Sequence, residues 1–237
     1  MNRLPPPLPR SRLRRLIWPA ATALVVTAIL LVAAVQLMPG SKTHRSTSGP
    51  PWVYGAPAAR FTVVEYADLE CPYCQAYFPA LRAWIDAHHD VNWQWHHLPL
   101  AMHDPAARQE AHLAECAGQV GGQAGFWKAA AWIYGHTRAN GEGVPADLHY
   151  PDDGVAMRAC LADPRVDATI QRQSDEGQRD QIQGTPTLRL VDHRSGQTLV
   201  IRGAADGDTL LSAIDQLIAL GSADPQKPAV GATPRGP

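Results

Sequence analysis

The hydrophobic and polar pattern divides the chain into three parts. Residues 1–15 are basic and proline-rich, and Leu16 to Met38 then runs without a charged side chain. As a helix that run spans roughly 34 Å, enough to cross a hydrocarbon core about 30 Å thick. Pro19 falls in its first turn, where a helix tolerates proline. From Pro39 to Ala58 the chain is rich in Gly, Ser, Thr and Pro and reads as a linker. Phe61 to Tyr66 is a β-branched and aromatic run of strand length. Cys74, Phe78, Leu81 and Ile85 recur at the spacing of one buried helical face, which predicts a helix from Pro72 to about His88. Val91 to Leu98 predicts a second strand, closed by Pro99.

Residues 104–180 read as almost wholly helical. Asp104-Pro105 predicts a cap followed by an N1 proline. Leu113, Ala117 and Val120 form a stripe, Gly121-Gly122 breaks it, and Phe126, Trp127, Ala130, Ile133 and Tyr134 mark a further helix. Asp153 to Leu161 and Pro164 to Gln181 predict two more. Thr187–Val191 and Gln197–Ile201 predict a hairpin, and Asp208 to Leu220 a closing amphipathic helix. Residues 221–237 read as a disordered tail. The expected order is β-α-β, a helical insert, then β-β-α, an α/β architecture over residues 59–220 with the insert at about 104–180.

Charge orients this plan. Arg3, Arg10, Arg12, Arg14 and Arg15 precede the apolar run, against Lys42 and Arg45 after it. This predicts a single-pass anchor at 16–38 with the N-terminus cytoplasmic and the domain exported. The competing reading is a cleaved signal peptide. Its apolar region runs about 7 to 15 residues, shorter than this one, although Val32-Ala33-Ala34 offers a cleavage site. Both readings put the domain in an oxidising compartment. Net charge is −1, with no basic patch interleaved with aromatics, so nucleic acid is not an expected partner. The ten histidines form no recognisable ligand set, and neither a metal nor an organic cofactor is expected.

The chemistry lies in Cys71-Pro72-Tyr73-Cys74, where strand pattern gives way to helix pattern. Thiol–disulfide exchange needs a thiolate that attacks and a second thiol that resolves the mixed disulfide. At a helix N-terminus Cys71 takes the capping position, where unpaired N–H groups and the macrodipole favour negative charge. Cys74 lies one turn on, facing the core. A zinc ribbon needs a second close ligand pair, and Cys116 and Cys160 are far apart in sequence. A haem attachment needs His where Gln75 stands. An inert structural disulfide stays open on the motif alone.

Asp68-x-x-Cys71-Pro72-Tyr73-Cys74, Pro79 eight residues after Cys71, Gly184-Thr185-Pro186-Thr187 before a strand, and the helical insert occur together. In this combination the chain resembles the DsbA-like branch of the thioredoxin superfamily over most of residues 59–220. The resemblance implies a thioredoxin fold with an inserted helical subdomain, preceded here by the membrane anchor. It implies that Thr185–Pro186 is cis, packs beside Cys71 and aligns an extended substrate, with Pro72 and Tyr73 also at the substrate surface. It further implies that Glu65 is a buried acid exchanging a proton with Cys74, against the plainer reading of a solvated glutamate on an edge strand. Asp68 is read as a support of the active-site turn.

Cys116 and Cys160 suggest a structural disulfide in an exported domain, as some relatives carry; two buried free thiols are the alternative. The expected function is disulfide formation in exported, cysteine-containing polypeptides, with reoxidation by a membrane partner of the DsbB type. An isomerase or reductase kept reduced by a DsbD-type partner is the second reading. Pro72-Tyr73 and Thr185 lean towards it, and the shortness of 39–58 as a dimerisation domain leans against it. A non-catalytic binding module for unfolded exported chains is the third.

Overall fold

The computed structural model describes residues 50–223. The basic segment 1–15, the expected anchor 16–38 and most of the expected tail lie outside the described residues. Among the described residues no helix is long and apolar enough to cross a membrane.

Five strands form one mixed sheet in the order β1-β3-β2-β4-β5, with β1 Val53–Gly55, β2 Phe61–Ala67, β3 Val91–His97, β4 Thr187–Asp192 and β5 Thr198–Arg202. Strands β2 and β3 are parallel, joined by helix α1, Pro72–Ala87. The other three pairings are antiparallel. Every residue of β2 is buried, as expected of a central strand covered on both faces. Phe61, Val63 and Ala67 enter the main core with Trp93 and Trp95, while Val64 and Tyr66 join a smaller cluster with Leu98 and Ile182.

The insert is α2 Ala106–His136, α3 Val155–Leu161 and α4 Arg165–Arg179. Helix α2 is two segments in one. Gly122 takes φ 64° and ψ −155° inside it, a left-handed φ that favours glycine. The segments meet at Gly125, where a Cβ would lie 2.2 Å from the Ala117 carbonyl oxygen. Phe126, Trp127, Ala130, Ile133 and Tyr134 are all buried. Cys116 and Cys160 form a disulfide that joins α2 to α3. Helix α5, Gly207–Ser222, closes the fold, capped by Asp206, whose carboxylate accepts from the Thr209 N–H at 2.8 Å.

Four expectations are corrected. The linker expected to reach Ala58 ends earlier: Trp52 is fully buried and Val53–Gly55 pairs antiparallel with β3. Pro105 is the N-cap rather than N1, and the Asp104 carboxylate accepts from the Arg108 guanidinium at 3.0 Å instead of capping backbone. Val120, in the last turn before the kink, is exposed. Gly221 lies inside α5, facing Ser195 closely enough that a Cβ would meet its Cβ at 2.5 Å.

Candidate active site

Strand β2 ends at Ala67, and Asp68-Leu69-Glu70 turns the chain into α1. Cys71 is the N-cap, with φ −78° and ψ 120° and no side-chain capping bond; Pro72 is N1. A thiol sulfur at this position points at helix N–H groups that have no partner within the helix. Cys71 is 3% exposed and Cys74 fully buried, whereas Tyr73 between them is 73% exposed. Both thiols are free in this structure, the reduced state.

Their environments separate the two thiols. Cys71 is pulled down to about 6, first by the hydrogen bond from Cys74, against the cost of burial, and then by Thr185 and the N–H groups of Cys74 and Tyr73. Cys74 is pushed well above its ordinary value by burial and by donating to Cys71. One thiol is an anion at neutral pH and its neighbour keeps its proton, the arrangement that attack and resolution require.

Thr185–Pro186 is cis, and the Cys71 sulfur lies 3.3 Å from the Thr185 carbonyl oxygen, to which it donates only while protonated. The cis bond and its place beside Cys71 are as the resemblance implies. Glu65, in the middle of β2, is 1% exposed, not a solvated edge residue. Burial raises its carboxyl to about 8, the Trp93 indole opposes the rise, and the Cys71 charge adds to it. Its Oε2 and the Trp93 indole nitrogen both lack a well-aligned partner. Cys74 feels the Glu65 charge, so a proton on one is linked to the proton on the other.

Asp68 is buried and braces the turn. Its carboxylate accepts from Glu70 N–H at 2.8 Å, Leu100 N–H at 2.9 Å and His103 Nδ1 at 2.7 Å. Its carbonyl accepts from Cys71 N–H at 3.1 Å and the Tyr134 hydroxyl at 3.0 Å. Glu70, His103 and Tyr134 thus belong to the site, as does Gln75, whose amide donates to the Tyr134 carbonyl at 2.8 Å, and sequence reasoning passed over all four. Asp68 and Glu70, two acids in three residues beside a core strand, were the available signal.

Beside the cysteines lies a largely apolar cleft of about 410 Å³ between Tyr73, Ala76, Tyr77, Ala80, Pro186 and Gly203. A larger one, about 580 Å³, lies in the insert and includes Leu113, Trp132 and Tyr150; it contains neither cysteine. Among the described residues no group of three or more His, Cys, Asp or Glu side chains could hold a metal ion.

A family model described as Thioredoxin matches residues 47–216. The crystal structure of Pseudomonas aeruginosa DsbA2 is 44% identical, covering 70% of this chain and 93% of that one, with a TM-score of 0.67. Oxidised BdbD from Bacillus subtilis is 22% identical over 72% of this chain and 97% of its own, TM-score 0.53. The thiol-disulfide exchange protein alpha-DsbA2 from Wolbachia pipientis is 16% identical over 70% and 86%, TM-score 0.57. These last two show the fold alone. Among curated proteins, the Na(+)/H(+) antiporter NhaA 3 of Salinispora tropica is 37% identical over 141 residues, 57% of this chain. The match spans 21% of that protein's length.

Proposed function

The chain belongs to the thioredoxin family, in its DsbA-like branch, and is a thiol–disulfide oxidoreductase; from that premise we propose that it forms disulfides in exported polypeptides, with Cys71 and Cys74 as the redox pair. The observation that carries this reading is the divergence of the two thiols, Cys71 lowered to about 6 and Cys74 raised. A stabilised Cys71 thiolate favours the reduced form and makes the disulfide a better oxidant.

In the forward reaction a substrate thiolate attacks the Cys71 sulfur of the Cys71–Cys74 disulfide, and Cys74 leaves as a thiolate. Glu65 is suited to deliver the proton Cys74 then takes up. A second substrate thiolate attacks the mixed disulfide and releases Cys71 as the stabilised anion. Two electrons pass from two substrate thiols to the enzyme. They leave again through a membrane partner of the DsbB type, which restores the disulfide. The Thr185 backbone aligns the extended substrate, and the cleft beside Tyr73 and Pro186 takes its apolar side chains.

The domain is proposed to face the periplasmic or extracytoplasmic side of the cytoplasmic membrane, held by the 16–38 anchor. The isomerase or reductase reading keeps its supporting features: Thr185 stands before the cis-proline, and Tyr73 offers a hydroxyl and no positive charge at neutral pH. Acid trapping of the cysteines in intact cells separates the two. Oxidised Cys71–Cys74 at steady state supports the oxidase, and reduced thiols support the isomerase or reductase. A Cys71→Ser variant with full activity in cells would mean a binding module instead.

A further inference from the structure

Two acids outside the cysteine chemistry are buried behind it. Glu70 is fully buried and Glu110, on α2, is 6% exposed. Among the described residues no ion pair involves either acid; both are bound by one loop. The Glu70 carboxylate accepts from the Thr137 hydroxyl and from Gly143 N–H at 2.9 Å. The Glu70 carbonyl accepts from Asn140 N–H at 2.8 Å. Glu110 Oε1 accepts from Val144 N–H at 3.1 Å. The Thr137 hydroxyl in turn accepts from Ala139 N–H at 3.0 Å.

The loop adopts a conformation that needs such partners. Ala139, Asn140, Gly141 and Gly143 have φ of 60°, 56°, 82° and 72°. Successive backbone N–H groups of a turn can line a concavity that accepts anionic or carbonyl oxygens, and here Asn140, Gly143 and Val144 each donate to Glu70 or Glu110. For a non-glycine residue such as Ala139 the conformation is strained and persists where its surroundings over-determine it. Here the surroundings are the two carboxyls.

The other end of this arrangement is the nucleophile. The Glu70 carbonyl belongs to the peptide unit that leads into Cys71. Its N–H, that of Cys71, donates to the Asp68 carbonyl at 3.1 Å, and its carbonyl accepts from Asn140 N–H. On the far side of the motif, the Gln75 amide donates to the Tyr134 carbonyl at 2.8 Å and the Thr137 carbonyl at 3.2 Å. The same loop therefore grips the chain immediately before Cys71 and immediately after Cys74.

We propose that Glu70 is a positioning residue for thiol–disulfide exchange: it clamps the 137–144 loop of the insert onto the peptide unit preceding Cys71, and Glu110 closes the clamp from α2. Burial, then the hydrogen bond and charge of Glu70, push Glu110 up to about 10. Glu110 accordingly enters as a neutral acid, its Oε1 accepting from Val144 N–H and its Oε2 buried without a hydrogen-bond partner. The loop N–H groups of Gly143 and Val144 satisfy one oxygen of each carboxyl. This inference rests on Cys71 being the attacking thiol, not on the direction of electron flow.

The test is the rate at which reduced protein reacts with oxidised glutathione at pH 8, where Cys71 is already thiolate. Folding is verified by circular dichroism, and the thiolate fraction by absorbance. Glu70→Gln leaves a donor opposite Gly143 N–H; it is expected to slow the folded enzyme roughly tenfold with its thiolate fraction unchanged, since small misplacements of reacting groups cost rate steeply. Glu110→Gln keeps an acceptor for Val144 N–H and is expected to lose less rate than Glu110→Leu. Should Glu70→Gln fail to fold, Thr137→Val removes the hydroxyl that donates to Glu70 and accepts from Ala139 N–H, and a severalfold loss is expected in the folded variant. Folded Glu70→Gln at the wild-type rate overturns the proposal, as does a loss that only tracks missing thiolate, or Thr137→Val at the wild-type rate. A wild type that does not react with the disulfide overturns the oxidoreductase reading instead.

Discussion

Glu65 and Tyr73 show how single side chains tune the site from opposite exposures. The Glu65 carboxyl, raised from 4.5 to about 8, binds its proton more tightly folded than unfolded. Its contribution to stability is present below about pH 4.5 and is lost as pH rises through 8. In the reduced protein Cys71, lowered from 9.0 to about 6, acts the other way. Its contribution is present above pH 9 and is lost as pH falls through 6. Glu65→Gln should therefore melt higher than the wild type at pH 8 and close to it at pH 4.5, read by thermal scans of reduced protein across that range. It should also slow resolution of the mixed disulfide by Cys74. Equal pH slopes for the two proteins would show that Glu65 does not hold its proton.

Tyr73 points into solvent and adds no charge to the Cys71 thiolate. The potential is expected at about −180 to −230 mV, below the approximately −120 mV of DsbA. A histidine there can carry a positive charge, so Tyr73→His should raise the potential and lower the Cys71 pKa together. Glutathione equilibration and thiolate absorbance measure the two. A wild type at −120 mV or above, or no movement in either quantity, would place control of the poise elsewhere.

Among the elements, the disulfide contributes most in one place. Closing a loop of 44 residues is worth roughly 4 kcal/mol in the chain-entropy model. Cys116→Ala should lower the melting temperature by about 10 °C, with Cys71 exchange largely intact. Free, alkylatable thiols at 116 and 160 in cell-derived protein would contradict the bridge. The elements legible in the sequence were those with a period of their own, such as β2, α1 and the Phe126–Tyr134 face. Strand β1 was not: three residues are too short to alternate, and its partner strand begins 36 residues downstream of its last residue, at Val91. The site divides the same way. Cys71, Cys74 and the Thr185–Pro186 loop are carried by local motifs. Glu70 and Glu110 are charged letters that only tertiary packing buries, and their common partner, the 137–144 loop, reads as an ordinary Gly/Asn turn. Asp104-Pro105 has the composition of a cap, but Asp104 was drawn to Arg108.

On the scale of the whole molecule, the domain is proposed to work tethered. The protein should sediment with membranes and resist carbonate extraction, and protease added outside the cytoplasmic membrane should digest the domain. A soluble product beginning near Val35 would leave only a cleaved signal peptide. The Cys116–Cys160 bridge gives such a catalyst an unusual dependence. It carries, as part of its own architecture, a bond of the type it exchanges. Each newly made copy must find an oxidant before its insert is complete, and an older, finished copy is chemically able to serve. Maturation would then be self-amplifying: slow when few finished molecules exist, and faster as they accumulate. Prolonged reduction would cost a population more than its active-site disulfides, because it would also erase the templates from which recovery starts.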